Sequence, residues 1–217
     1  MPFQQRDRVR PPRLVIHPLV VRFAHWVNAA AIVVMVMSGW GIYNASPLFA
    51  FHFPSWATLG GWLGGAIAWH LAMLWVLVSN AAIYVTYGLL SGRFARMLLP
   101  LTPGLVWRDL VSALSLRLSH PAGTYNAVQR LAYAGVLMLG AVAVLSGLAL
   151  WKPVQLQTLA AVLGGYEVAR RIHFLAMAGI VGFVMLHLTL VALVPRTLLA
   201  MLTGRAHGSL TDAETSP

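Results

Sequence analysis

Four stretches of this chain lose nearly all polar character for long enough to cross a bilayer: residues 19–43, 59–87, 126–151 and 172–194. Each approaches or exceeds the roughly 20 apolar residues that a spanning helix needs. The segment between the second and third reads differently. Residues 105–118, LVWRDLVSALSLRL, alternate apolar and charged positions with a helical period, which predicts an amphipathic helix lying in the interface. Residues 152–169 are mildly amphipathic and suit a short surface helix. The pattern therefore predicts an all-α membrane protein, a four-transmembrane-helix bundle over residues 19–204 with a cytoplasmic interfacial helix between helices 2 and 3. Residues 1–18 read as a polar, basic tail and 205–217 as a disordered one. Composition agrees, at 59% hydrophobic and 9% charged, against about 25% charged in soluble domains.

Charge sets the orientation. Arg6, Arg8, Arg10, Arg13 and Arg22 precede or open the first span, Arg93, Arg96, Arg108, Arg117 and Arg130 fill the middle connection, and Arg196 and Arg205 follow the fourth span. The other two connections hold Lys152, Arg170 and Arg171, offset in part by Glu167. By the positive-inside rule both termini and the middle connection are cytoplasmic. The net charge of +10 is thus a topology signal that also meets lipid headgroups, and it calls for no nucleic-acid partner. The first span is too long for the apolar core of a signal peptide, so it reads as a retained helix.

The chain has no cysteine, which excludes iron–sulfur ligation, a CxxCH haem attachment and thiol redox chemistry by its own residues. Histidine remains. His173 and His187 lie fourteen residues apart on the fourth span; that spacing climbs roughly 21 Å and returns within about 40° of the same helix face. Ionisable groups at such depths are costly and mark function. If each ligates one haem of a stacked pair, two further histidines must stand at matching depths on other spans. His25 lies at the cytoplasmic end of the first span and His70 in the outer half of the second, giving the pairs His25/His187 and His70/His173. A zinc site would gather its ligands at one depth, and a proton relay would need a buried acid that these spans lack. Gly39 and Gly41 in the first span, and Gly135, Gly140, Ser146 and Gly147 in the third, suit either close helix packing or room for a flat macrocycle. His52 falls in the outer connection beside Phe49, Phe51, Phe53 and Trp56, and Asn80 is a buried polar group suited to bonding a neighbouring helix.

RFAHW at the first span, WH in the second, YNAVQRLAY opening the third, and RIHF with MLH in the fourth together resemble the bacterial di-haem b-type membrane cytochromes. This family comprises prokaryotic cytochrome b561 and the cytochrome b subunits of nickel–iron hydrogenases and formate dehydrogenases. The resemblance covers residues 15–205. It implies two haem b groups on the same pairs, His25–His187 and His70–His173, in a bacterial inner membrane. It also implies a quinone as exchangeable substrate near Tyr125, Asn126 and Gln129, although Val128 stands where relatives often have glycine, and Asn126 equally suits capping the third span. Arg22, Arg170 and Arg171 are placed to pair with haem propionates. The function implied is that of a cytochrome b subunit passing electrons between the quinone pool and a periplasmic redox subunit, with molybdopterin oxidoreductases among the candidates. Two rivals stay open: a stand-alone quinone-linked cytochrome such as a superoxide oxidase, and a haem-free transporter or proton-handling protein, which would purify colourless.

Overall fold

The computed structural model describes residues 17–98, 102–114 and 127–204. Their order is α1 (Leu19–Ala45), α2 (Leu63–Leu90), α3 (Arg93–Leu98), α4 (Pro103–Leu114), α5 (Ala127–Trp151), α6 (Gln157–Val162), α7 (Tyr166–Leu193) and α8 (Arg196–Thr203). No strand occurs among the described residues. α1, α2, α5 and α7 are the four helices long and apolar enough to cross a membrane.

Two of the four helix starts differ from the apolar pattern by four residues or more, and glycines explain both. α2 starts at Leu63 instead of residue 59 because Gly60 and Gly61 turn the chain with φ of 107° and 71°, a region that favours glycine. α7 starts at Tyr166 instead of 172, straight after Gly164 and Gly165 with φ of 83° and 88°. Glu167 in its first turn complements the helix dipole, so Arg170 and Arg171 belong to the helix and not to a loop. The amphipathic helix between α2 and α5 opens on Pro103, a residue suited to a first helical position. Residues 1–16 and 205–217 lie outside the described residues, as do 115–126, and Tyr125 and Asn126 with them. The short α8, which the sequence pattern merged into the span and tail, closes on Gly204 in the left-handed region.

α1 packs along α2 and α5 along α7, and the two pairs face one another. Asn80 fulfils its expected role: its amide donates to the Ala24 carbonyl and the Asn28 side chain of α1, both at 2.8 Å. Such inter-helix bonds are worth roughly 0.6 kcal/mol each in a membrane. Arg22 on α1 donates to the carbonyls of Met201 and Leu202 at the C-terminal end of α8.

The same register runs through the chain twice. Leu19 of α1 stands to Ala127 of α5 as Arg22 to Arg130, Ala24 to Ala132, His25 to Tyr133, Ser38 to Ser146 and Gly39 to Gly147. In the same way α2 maps onto α7, with Leu63 on Tyr166, Ala66 on Ala169, His70 on His173, Tyr84 on His187 and Leu90 on Leu193. Arg93 and Arg196 then open the short helices α3 and α8. The two copies run in the same chain direction and meet at the equivalent residues His70 and His173. α8 is tied to α1 and α3 lies against α5, so each copy reaches across to clasp the other.

Candidate functional site

Between the two helix pairs the structure brings together histidines from different copies. His25 of α1 and His187 of α7 have ring centres 6.0 Å apart with planes at 67°. His70 of α2 and His173 of α7 have ring centres 6.2 Å apart with planes at 71°. Imidazoles bound on opposite sides of one metal ion, at about 2.0–2.1 Å each, place their ring centres roughly 6 Å apart. Both pairs have a separation at which the two imidazoles could hold one metal ion between them. The first lies on the side of the bundle where α1 begins and α7 ends, here the terminal side, and the second toward the opposite, far side.

The far-side pair is held by matching clamps. His70 Nδ1 lies 3.1 Å from the Met35 carbonyl and 3.1 Å from Ser38 Oγ. His173 Nδ1 lies 2.9 Å from the Ala143 carbonyl and 3.2 Å from Ser146 Oγ. A carbonyl only accepts, so Nδ1 carries the proton in both rings and Nε2 keeps its lone pair for a metal. Each serine is fully buried and donates its own proton to the carbonyl four residues back, Val34 or Val142, at 2.6 Å. Each is followed by a glycine that touches the ring. A Cβ on Gly39 would stand 3.4 Å from His70 Cε1, and one on Gly147 would stand 3.0 Å from His173 Cε1.

An apolar space, open at its edges, adjoins these two histidines. All four spanning helices contribute to its wall, among them Ile32, Leu74, Gly140 and Met177. A Cβ on Gly140 would meet no protein atom within 4 Å, so this glycine opens onto free space. Gly41 is different: its Cβ would press on Ala66 at 3.1 Å and the Leu59 carbonyl at 3.2 Å. The two readings of the glycines are thus divided between positions, with Gly41 serving packing and Gly39, Gly140 and Gly147 giving clearance. Two facing imidazoles whose Nε2 atoms keep their lone pairs, an apolar slot and glycine clearance suit a flat haem.

The terminal-side pair is more open. His25 is half-buried and meets Trp26 edge-on at 5.3 Å, while His187 is exposed and stacks on Phe183 at 6.1 Å and 7°. Nearby, outside the span, the His17 imidazole is held below its ordinary pKa by burial and by the Arg93 charge, so it is neutral at neutral pH.

Arg22 and Arg170 have protein partners. Arg22 reaches α8 as described. Arg170 donates to the carbonyl and hydroxyl of Ser46 and lies 3.7 Å from Glu167, and Arg171 is exposed. Gln129 sits in the first turn of α5, and His52 is exposed in the far-side loop. That loop folds on α1 through Asn44, which bonds the backbone of Phe53 in both directions at 2.8 and 2.9 Å. Sequence reasoning missed two features. One is the serine clamps, whose signal was the repeated Val-x-Val-x-Ser-Gly at residues 34–39 and 142–147. The other is Asp109, a buried acid on α4 whose carboxylate accepts from the Ala127 backbone at 2.8 Å and caps α5. It lies outside the spans and adds no relay within them.

The clamps yield a prediction. An acceptor on Nδ1–H makes the imidazole a stronger donor to iron and favours the ferric state. With a haem held by His70 and His173, Ser38→Ala or Ser146→Ala should therefore raise its potential while leaving the haem count unchanged, and the double variant should raise it further. Redox titration followed optically checks this; unshifted potentials would reduce the serines to packing.

A family model described as prokaryotic cytochrome b561 matches residues 16–204. A protein of Azospira oryzae named as a candidate protein-methionine-sulfoxide reductase subunit, YedZ1, is 50% identical over 190 residues, covering 87% of this chain and 96% of its own length. No solved structure matches.

Proposed function

This chain belongs to the prokaryotic cytochrome b561 family, and from that premise we propose that it is a di-haem electron-transfer subunit. In this reading it carries electrons between the membrane quinone pool and a redox partner on the periplasmic face of a bacterial inner membrane. Haem b binding is a property of the family. The number of haems, the quinone and the partner belong to the proposal.

The observation that carries it is the stacking of two opposed histidine pairs at two depths, with α7 supplying one imidazole to each. When bound, haem would supply one-electron exchange between ferric and ferrous iron, and His25 with His187 and His70 with His173 would hold it. The chain's own contribution is position. α7 fixes the spacing of the two sites along the membrane normal, because both ligands ride on one rigid helix. The serine–carbonyl clamps orient His70 and His173, and the apolar wall excludes water. Arg22, Arg170 and Arg171 stand at the two ends of the bundle; Arg22 and Arg170 would have to share their present hydrogen bonds with a propionate, and Arg171 is exposed.

Twelve of the fifteen basic residues flank the terminal side, which supports placing that side in the cytoplasm. The quinone then exchanges near the more open His25/His187 pair, with Tyr125, Asn126 and Gln129 as candidate contacts. The partner meets the far side. The relative's name as a reductase subunit supports a subunit role over a stand-alone oxidase, and a periplasmic molybdopterin-dependent reductase of oxidised methionine is the partner it points to.

The test is a reduced-minus-oxidised spectrum with pyridine-haemochrome quantitation, followed by addition of a quinol to the oxidised protein in vesicles. We expect about two b-type haems per chain, both reduced by the quinol. A single haem per chain, or two that no quinol reduces, would end the di-haem quinone reading.

A further inference from the structure

We infer that the haem held by His70 and His173 is loaded from the bilayer, edge-first, through the seam between α2 and α5, with the Trp75–Trp151 ring pair as the gate of that seam. This rests on the reading of His70 and His173 as haem ligands and adds the route by which the ring reaches them.

The far-side space is a slot between two helix pairs, each closely packed within itself. A flat ring held in such a slot turns its edges to the two lateral seams, α1/α7 and α2/α5, and these are built differently. The α1/α7 seam is strapped. Tyr43 of α1 is buried, and its ring meets Phe174 of α7 at 5.2 Å. Phe49, in the loop after α1, covers the same Phe174 at 5.5 Å. The Tyr43 hydroxyl accepts from the Phe49 N–H at 3.2 Å and donates to its carbonyl at 3.4 Å. Arg170 of α7 completes the strap by donating to Ser46 of the same loop. Passage through this seam requires the loop to leave α7 and break those bonds.

In the α2/α5 seam the repeat puts Trp151 where Tyr43 stands and Leu71 where Phe174 stands. The rings in contact here are Trp75 and Trp151, edge-on at 6.5 Å and 83°, and both are exposed on spanning helices. An edge-on pair facing lipid is a weaker closure than a packed, hydrogen-bonded loop. Behind it the wall is hollowed. Gly140 and Ala143 of α5 stand where α1 has Ile32 and Met35, and a Cβ on Gly140 would meet no protein atom within 4 Å. The slot is thus wider along α5, which borders the gated seam, than along α1, which borders the strapped one. The entrant is a flat, largely apolar ring with two carboxylates, which in a bilayer keeps its charged edge at headgroup level. Lys152 follows Trp151 at the far-side end of this seam. Its ammonium lies 5.0 Å over the Trp151 ring and enters no ion pair among the described residues. A cation there holds a carboxylate at the surface while the apolar edge moves past Trp75.

The experiment follows haem leaving the full haem-loaded chain in vesicles, since exit and entry share one path. His187→Ala provides a parent chain that carries the far-side haem alone, and transfer of that haem to apomyoglobin in the buffer is read optically. The chain has no cysteine, so paired cysteines can be joined by a bifunctional thiol reagent without side reactions. In the Trp75→Cys/Trp151→Cys chain, haem transfer should be about tenfold faster than in the parent, the size of a lost edge-on ring pair. Joining the two cysteines should bring transfer below the parent rate, and cleaving the tether should restore the fast rate. A tether between Ser46→Cys and Glu167→Cys, across the strapped seam, should leave the rate unchanged. A rate indifferent to the α2/α5 tether, or one slowed only by the α1/α7 tether, would overturn the route. If the His187→Ala chain keeps two haems or holds none, the ligand reading beneath the proposal fails instead, and the route with it.

Discussion

His187→Ala should lose one haem b per chain and keep the other, while His173→Ala should lose the opposite one. Both residues lie on α7, yet their surroundings differ. His187 is exposed and its ring meets those of His25 and Phe183, so its removal should disturb little besides the metal bond. Pyridine-haemochrome quantitation should fall from about two haems to about one, and the spectrum that survives should belong to the clamped far-side site. His173 is tied to Ala143 and Ser146 of α5 and stands against the apolar cavity. Its loss removes the link between α5 and α7 at that level and leaves Ser146 without its ring partner. A bound haem stabilises only the folded state, so each lost haem lowers the thermal transition through mass action. The His173 variant should fall further, because helix contacts go with the haem. Retention of both haems in either variant would sink the ligand assignment for that residue.

The spans and the depth of the histidines were legible because long apolar runs and fixed helical rise need no tertiary knowledge. The helix starts were less so. Gly60–Gly61 and Gly164–Gly165 decide where α2 and α7 begin, and hydropathy does not register a left-handed turn. Longer-range facts were hidden for a different reason. Arg22 bonds a carbonyl 179 residues away, and no local pattern distinguishes that role from one beside a propionate. Asp109 looked like one polar position of an amphipathic helix; only the arrival of Ala127 over its carboxylate makes it a buried cap. The duplication was present in the sequence throughout. Its shared residues are sparse, though, and the positions that differ between copies, His25 against Tyr133 and Tyr84 against His187, are the ones that draw attention first. Read as lone histidines they suggest four ligands. Read as broken equivalences they also show what stands where a ligand is missing.

Gly147→Val should abolish far-side haem binding with the chain still inserted, and Gly39→Val should weaken it less. The difference follows from contact distance. At Gly147 an added Cβ already lies 3.0 Å from His173 Cε1 and 3.4 Å from Nδ1, whereas at Gly39 the corresponding distances to His70 are 3.4 and 3.7 Å. Valine adds two further carbons in the direction of the ring. The His173 ring cannot swing away cheaply, because doing so breaks the 2.9 Å bond to the Ala143 carbonyl and exposes a buried acceptor. Close-packed interiors transmit such a push instead of absorbing it. The terminal-side haem provides the internal reference, since both glycines contact only the far-side histidines, so the haem count should fall toward about one per chain in Gly147→Val and its remaining spectrum should match that of His173→Ala. Gly140→Ala separates the two clearances. A Cβ there meets no protein atom within 4 Å and leaves both imidazoles untouched, so any haem lost in that variant is lost through the macrocycle itself. Haem loss in Gly147→Val with full retention in Gly140→Ala would locate the tight fit at the ligand; equal loss in both would locate it at the ring; and full retention in Gly147→Val would mean that His173 does not hold the iron in the orientation its clamp imposes.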